Sequence, residues 1–273
     1  MLNLLRPRIL FVLLLIMALV PAAQAGLLSF WTFNETGGTI AHDSVGGVNG
    51  TLDGNAYFTG TGGVSGGAVS ISGNGFINMG DHFNFNGGSA FSLQTWVKIA
   101  PTPQPTPNAG YIVLSRHFAG ISEGYFIAIG NVVDGCGGAF GTSHLWAGYP
   151  CSPVSTTMVN DDNWHQIVAT FQGGVASIYV DGTFEGSQGG NPLNPLNGYP
   201  FIVGGLTWFN GLPGNDFAGL IDNVGVWDNT LTPAQVAALY QQQLHPTPEP
   251  ATLSLIASGL LSLGLASRKR FFN

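Results

Sequence analysis

The acidic residues of this 273-residue chain are candidates for catalysis, because their spacing shows whether two carboxyl groups could act on one substrate. Glycosidic hydrolysis needs two carboxyl groups about 5–9 Å apart, which on one strand face means acidic residues two positions apart. The glutamates of the central region, Glu35, Glu123 and Glu185, have no acidic partner at that spacing. Zinc-protease, P-loop and dinucleotide-binding motifs do not occur either. We therefore expect no enzymatic activity; the alternative is a polysaccharide-active hydrolase or lyase whose carboxylates come from distant segments.

Aromatic residues in glycine- or proline-containing segments are the second group with a recognisable chemistry. An aromatic ring offers a face on which the apolar face of a sugar can stack. The candidates for such a ligand-binding surface are Trp146, Tyr149, Trp208 and Phe209. For any single one of them, ordinary packing in the core or in a loop is the competing interpretation.

Short strands, rather than helices, are expected to carry these side chains. Only 8% of residues are charged, 41 are glycine and 45% are apolar, which favours strands joined by tight turns around a core. A hairpin is predicted around Gln172-Gly173-Gly174, and one helix from Thr232 to Gln242 with Thr232 as its N-cap. The predicted strands are Leu28–Phe33, Ala68–Ile71, Phe76–Met79, Phe91–Ile99, Tyr111–Arg116, Tyr125–Ile129, His165–Phe171, Val175–Val180, Phe201–Val203 and Gly219–Trp227.

The N-terminal segment is typical of a cleaved secretory signal peptide. Residues 1–25 contain Arg6 and Arg8, then an apolar run of about 12 residues, then Ala23-Gln24-Ala25. A membrane anchor is the alternative, but the run is shorter than the roughly 20 residues that span a bilayer. Cleavage is expected before Gly26.

The C-terminal segment combines a motif, an apolar run and a basic end. Pro248-Glu249-Pro250 precedes about 16 apolar residues, 251–266, which can cross a membrane with some adjustment. Arg268, Lys269 and Arg270 follow and would hold the C-terminus in the cytoplasm. Everything before Pro248 is then expected on the outer side of that membrane.

The charge of the region between the two ends limits its partners. Residues 26–245 contain 13 acidic residues and only two basic ones, Lys98 and Arg116, for a net charge of −11. Such a surface repels phosphate backbones, which excludes nucleic acid as a favoured partner. Cations are better partners for such a negatively charged surface.

Two cysteines, Cys136 and Cys151, occur in the chain. In an exported protein an even count favours a disulfide, which here would close a loop of about 15 residues and contribute about 3 kcal/mol. Two free thiols or an intermolecular bridge are the alternatives.

Five segments together resemble the laminin-G-like domains of the concanavalin A-like lectin/glucanase superfamily. The signature hairpin is Asn163–Phe171 followed by Ile178–Gly182, and Phe30–Glu35, His42–Leu52 and Phe217–Trp227 match in family order. The resemblance implies an all-β fold, a jelly-roll β-sandwich of two antiparallel sheets, with one short C-terminal helix and a separate transmembrane segment.

The same resemblance implies a structural calcium site where the first and last strands meet. The matching positions are Asp43, Asn49 and Asp222, and their oxygens are of the type that Ca²⁺ prefers. The competing interpretation is that Asp43 and Asn49 organise a turn and that Asp222 is a satisfied buried polar group.

The C-terminal motif resembles the PEP-CTERM sorting signal of Gram-negative bacteria, whose segment is processed by an exosortase. The expected organisation is a signal peptide (1–25), a laminin-G-like domain (26–243), a spacer (244–247) and a sorting segment (248–273). The expected location is the cell surface or extracellular matrix, after transient anchoring in the inner membrane. Because such signals accompany exopolysaccharide and biofilm formation, the expected function is non-catalytic binding of an extracellular polysaccharide, with a purely structural matrix role as the alternative.

Overall fold

Eighteen strands and one helix form the part of the chain that the computed structural model describes, residues 26–101, 111–117, 123–130, 141–147, 153–189, 193–195, 197–207, 213–215 and 217–244. The strands are β1 (Leu27–Trp31), β2 (Ile40–Ala41), β3 (Gly50–Asp53), β4 (Ala56–Phe58), β5 (Val69–Ile71), β6 (Phe76–Asn78), β7 (Phe91–Lys98), β8 (Tyr111–His117), β9 (Gly124–Ile129), β10 (Thr142–Trp146), β11 (Val154–Met158), β12 (Trp164–Gln172), β13 (Val175–Val180), β14 (Thr183–Gly189), β15 (Ile202–Val203), β16 (Gly205–Thr207), β17 (Pro213–Asn215) and β18 (Gly219–Trp227). The helix is α1 (Pro233–Leu244).

Two antiparallel eight-stranded sheets make up the fold. Sheet 1 has the order β14-β13-β12-β7-β18-β5-β4, with β1 also paired to β18. Sheet 2 has the order β11-β10-β9-β8-β15-β6-β3-β2, and β16 and β17 form a separate two-stranded hairpin. The inner faces of the two sheets enclose one large apolar cluster, as in other β-sandwiches. The predicted all-β sandwich is confirmed.

Period-two alternation decides which side chains of sheet 1 enter the core. On β7, Leu93 and Val97 lie in the core cluster between the sheets. Trp96 points to the opposite face, where its ring stacks on Tyr240 of α1 with centroids 5.5 Å apart. The alternation that the sequence shows in this segment is therefore the one that the fold uses.

The predicted hairpin is present as β12 and β13, which pair from Ile167–Val180 to Gln172–Val175. Gly173 and Gly174 make the turn with φ of +57° and +78°, the left-handed conformations that a two-residue hairpin loop requires. Glycine adopts them without the steric cost that a side chain would add.

Helix α1 covers the outer face of sheet 1. Thr232 caps it, since its Oγ1 accepts the Gln235 N–H at 3.3 Å while the Gln235 side chain accepts the Thr232 N–H at 2.8 Å. Val236 and Leu239 of α1 are buried in an apolar cluster with Val168, Tyr179, Trp227 and Leu231. The predicted helix and its N-cap are confirmed.

Several predicted segments lie outside the described residues. They are the signal peptide 1–25, the cysteines Cys136 and Cys151, the aromatic candidates Tyr149, Trp208 and Phe209, and the sorting residues Pro248, Glu249, Pro250, Arg268, Lys269 and Arg270. None of the helices in the described ranges is both long enough and apolar enough to cross a membrane.

Candidate ligand-binding face

The outer face of sheet 2 carries a group of aromatic and histidine side chains on three adjacent strands, β8, β9 and β10. Along these strands, the side chains that alternate with this group, such as Ile127 and Leu145, point into the core. A register shift between Ile112 and Leu114 of β8 marks a bulge, a device that changes the side on which the next residues project. The two cross-strand rows on the outer face are Ser115–Phe126–Trp146 and Ile112–Ala128–His144.

Four rings on this face contact one another. Phe126 and Trp146 stack with centroids 5.2 Å apart and an angle of 5° between their planes. The ring of His117 meets both edge-on, at 4.7 Å from Trp146 and 5.2 Å from Phe126. The ring of His144 lies 6.1 Å from that of Phe126. We call these four residues the aromatic–histidine face.

Both histidines of this face are uncharged at neutral pH. Burial lowers the pKa of His144 to about 4. Burial also lowers the pKa of His117 to about 4, although its hydrogen bond to the Glu123 carbonyl acts in the opposite direction. A charged imidazole is poorly solvated in such a site, so the neutral ring is favoured.

The two neutral rings differ in how their nitrogens are used. His117 Nδ1 lies 2.7 Å from the Glu123 carbonyl oxygen, which can only accept, so Nδ1 carries the proton and Nε2 is left as an acceptor. His144 is fully buried, and neither of its nitrogens has a hydrogen-bond partner among the described residues. A buried unpaired donor or acceptor costs roughly 1–3 kcal/mol. The part of the chain that the structure describes therefore leaves the polar atoms of His144 unsatisfied.

The β16–β17 hairpin lies against the β8 side of the face. Ser115 Oγ donates to the Gly205 carbonyl at 2.6 Å, and Leu206 joins Ile112, Phe126, Ala128 and Trp146 in one small buried cluster. The hairpin thus covers the apolar part of the face with an apolar side chain.

Trp146 is the one predicted aromatic candidate within the described residues, and it is buried in this cluster rather than displayed on a loop. Sequence reasoning missed Phe126, His117 and His144. No sequence signal marks His144, because its strand Thr142–Trp146 mixes polar and apolar residues without a clear pattern.

Asp43, the first predicted calcium ligand, organises a turn. Its Oδ1 accepts the N–H groups of Phe30 and Val45 at 2.9 Å, and its Oδ2 accepts those of Gly46 and Val48 at 3.1 and 2.9 Å. Burial alone would raise the pKa of this carboxyl, but these hydrogen bonds outweigh it and lower the pKa. Since a carboxylate has about four lone-pair positions, Asp43 as placed does not fit a calcium ligand.

Asn49 and Asp222, the other two predicted ligands, lie in different hydrogen-bond networks. Asn49 Oδ1 accepts the Asp43 N–H at 3.0 Å. Asp222 is fully buried on β18, where Oδ2 accepts the Val64 N–H at 2.8 Å and burial raises the pKa to about 7. No hydrogen bond joins Asp222 to either of the others, and the described residues contain no metal-binding group of three or more His, Cys, Asp or Glu side chains. A calcium site stays a prediction, without Asp43 in it.

A second titratable cluster lies at the edge of sheet 1. His165 Nδ1 is 2.7 Å from Asp181 Oδ2, and its Nε2 is 3.0 Å from Asp161 Oδ1. The hydrogen bond to Asp181 is the largest cause of a raised His165 pKa, and burial opposes it. The Asp161 carboxylate also accepts the N–H of Asn163, so these residues build a turn before β12, and the two carboxylates orient the His165 ring and favour its protonated form.

Comparison with known proteins agrees with the fold. Residues 71–237 match the family model described as the concanavalin A-like lectin/glucanases superfamily, and residues 246–270 match that of the PEP-CTERM protein-sorting motif. No curated protein sequence matches the chain significantly.

Solved structures with this architecture share little sequence identity with the chain. The binding domain of Paraclostridial Mosquitocidal Protein 1 aligns with a TM-score of 0.60 at 14% identity, over 80% of this chain and 52% of that one. Domain 4 of AbnA, an extracellular GH43 arabinanase from Geobacillus stearothermophilus, aligns with a TM-score of 0.55 at 23% identity, over 79% of this chain and 98% of that one. A Trypanosoma rangeli sialidase aligns with a TM-score of 0.56 at 17% identity, over 81% of this chain and 33% of the sialidase chain. The chain thus spans about half of the mosquitocidal protein's binding-domain chain and about a third of the sialidase chain.

The family match covers more than half of the chain and includes the hairpin, β18 and the start of α1. The PEP-CTERM motif indicates export and sorting in a Gram-negative bacterium, with membrane anchoring before an exosortase processes the chain. The chain therefore belongs to the concanavalin A-like lectin/glucanase superfamily and ends in a PEP-CTERM protein-sorting motif.

Proposed function

We propose that the protein is an exported, non-catalytic carbohydrate-binding module that acts at the cell surface or in the extracellular matrix, where it contacts exopolysaccharide. The observation that carries this proposal is the aromatic–histidine face on a lectin-family sandwich. Its stacked Phe126 and Trp146 rings are apolar surfaces of the kind that sugars stack on, and because both are buried, a sugar would have to displace side chains such as Leu206 to reach them. The nitrogens of His144, which have no partner in the described part of the chain, match sugar hydroxyls, which both donate and accept.

The outer face of sheet 1 is a weaker candidate because α1 already occupies it. Trp96 is fully buried there, stacked on Tyr240. Domain 4 of AbnA was solved in complex with arabinotriose, which makes arabinan a reasonable member of any test panel. That likeness concerns the fold alone and does not select the ligand.

Direct binding tests the proposal. The full-length chain, purified in a detergent without a sugar headgroup, is immobilised and exposed to a polysaccharide panel that includes arabinan and the host's own exopolysaccharide. Each polymer is tested with added calcium and with chelator, since calcium is a predicted structural ion. Saturable binding to one class supports the proposal, and absence of binding to every polymer by folded protein would contradict it.

Two other functions predict different results. A purely structural matrix component would self-associate, with or without calcium, and bind no polymer of the panel. A polysaccharide-active enzyme would release reducing ends from a polymer, and substitution of a carboxylate would abolish that release.

A further inference from the structure

The domain has almost no fixed positive charge. Of the seven lysines and arginines in the chain, only Lys98 and Arg116 lie between residues 26 and 245. Sites that recognise a carboxylate, sulfate or phosphate on a ligand usually do so with Arg or Lys, which supply charge-assisted and often paired hydrogen bonds. The location of these two cations therefore limits which glycans the domain can recognise.

Neither cation can serve the aromatic–histidine face. Lys98 ends β7 in sheet 1, with its Nζ 3.7 Å from Asp162. Arg116 is fully buried, and its Nη1 donates to the His82 and Tyr199 carbonyls at 2.6 and 2.7 Å. Its Nη2 is paired with Asp81. Because this holds for every Lys and Arg of the central region, no residue of the domain can bring a fixed positive charge to the face.

The histidines of the face do not replace the missing cations. Burial holds the pKa of both His117 and His144 at about 4, so both rings are neutral at pH 7. A neutral imidazole offers one donor and one acceptor, which is the hydrogen-bonding capacity of a hydroxyl group and not that of an anion. An acidic ligand would also be repelled by the net charge of −11 that residues 26–245 carry as a whole.

We propose that the aromatic–histidine face binds an uncharged glycan, and that the two ring nitrogens of His144 hydrogen-bond to its hydroxyl groups. This inference rests on the proposed function and adds to it the ligand class and the group that selects it. A sugar that reaches His144 must displace the contacts that bury it, and two new hydrogen bonds offset part of that cost. Recognition of this kind is insensitive to salt, unlike binding to a charged polymer.

Matched polymers that differ only in charge test the inference. Hydroxyethyl cellulose is compared with carboxymethyl cellulose, dextran with dextran sulfate, and arabinan is added as a further neutral polymer. The immobilised full-length chain should bind at least one neutral polymer and bind its acidic counterpart about 10-fold more weakly or not at all. Raising the salt to about 0.5 M should leave the neutral binding unchanged.

Two variants locate the interaction. His144→Leu should weaken binding of the neutral polymer about 10-fold or more, since two hydrogen bonds are lost. His42→Leu is the matched control: this ring is two-thirds exposed after β2, at the opposite edge of sheet 2, and its loss should not alter binding. Circular dichroism confirms that both variants fold.

The outcomes separate this inference from the proposed function. If no polymer binds at all, the proposed function fails and the inference falls with it. If acidic polymers bind as tightly as their neutral partners, or only with calcium present, the module is a lectin but the uncharged-ligand assignment is wrong. If His144→Leu binds a neutral polymer like the wild type, the assigned hydrogen-bonding role of His144 is wrong.

Discussion

Replacing His144 by leucine should make the folded protein more stable. The ring is fully buried and neither nitrogen has a partner among the described residues, while its ring neighbour Phe126 is apolar. An unpaired buried polar atom costs about 1–3 kcal/mol, and an apolar side chain of similar size removes that cost. Allowing for imperfect packing of the new side chain, we expect a gain of about 2 kcal/mol near pH 7. For a domain of this size the melting temperature should rise by roughly 4–8 °C.

The gain should be larger in acid. Burial lowers the pKa of folded His144 to about 4, whereas an unfolded histidine titrates near its ordinary value of about 6.5. Between these two values the unfolded chain binds a proton that the folded chain does not, so the stability of the wild type falls as the pH falls. At about pH 5 this costs the wild type roughly 2 kcal/mol more than at neutral pH. His117 titrates alike in both proteins and cancels from the difference.

Urea unfolding followed by circular dichroism measures both effects. The difference in free energy of unfolding between His144→Leu and the wild type should be about 2 kcal/mol near pH 7.5 and about 4 kcal/mol near pH 5. His42→Leu, at an exposed position, should change stability by no more than about 0.5–1 kcal/mol. If His144→Leu is less stable than the wild type, or if its difference does not grow in acid, the ring has partners and the reasoning is refuted.

Three other perturbations address the rest of the chain. His165→Gln should cost about 1–3 kcal/mol below pH 6.5. Because Asp181 and Asp161 raise the pKa of His165, that cost should shrink as the pH rises through the folded pKa. Urea titrations that show the same cost at every pH would contradict the raised pKa. Asp43→Ala should cost about 2–4 kcal/mol by removing four backbone hydrogen bonds. That loss should be equal with calcium and with chelator in thermal melts, and a loss confined to calcium-containing buffer would make Asp43 a ligand. Alanine in place of each residue of Pro248–Pro250 should leave the protein in the membrane fraction of its host, and normal release would refute the sorting assignment.

The elements that the sequence predicts best are those with a strong local signal. The hairpin has alternating strands and a Gly173-Gly174 turn, and α1 has Thr232 as cap followed by proline. Strand β10 carries no such signal, because the segment around Trp146 is rich in glycine and has the composition of a loop. Local patterns are therefore sufficient for elements whose ends are marked by turn and capping residues.

The aromatic–histidine face could not be predicted because both faces of β9 are buried. Phe126 and Ala128 point outward, while Tyr125 and Ile127 point inward, and all four are apolar or aromatic. Without a polar side the strand shows no period-two contrast that would separate core from surface. The calcium ligands are a different case: the role of Asp43 depends on four backbone N–H groups, and a motif match does not show where backbone N–H groups point.

The two outer faces of the sandwich differ in how their buried polar side chains are paired. On sheet 1 the buried Gln94 and Gln166 each donate a side-chain N–H to Oε1 of Gln243 in the last turn of α1, at 3.0 and 3.2 Å. The helix thus supplies an acceptor for each buried amide nitrogen of that face, while Oε1 of Gln94 and Oε1 of Gln166 have no partner among the described residues. On sheet 2 the described part of the β16–β17 hairpin packs Leu206, an apolar residue, against the face, and both nitrogens of His144 are unpaired among the described residues. Each glutamine of sheet 1 therefore makes at least one side-chain hydrogen bond, whereas the His144 ring makes none to the described residues. Side chains that lower stability in this way are concentrated at functional sites, so we expect the binding site on sheet 2.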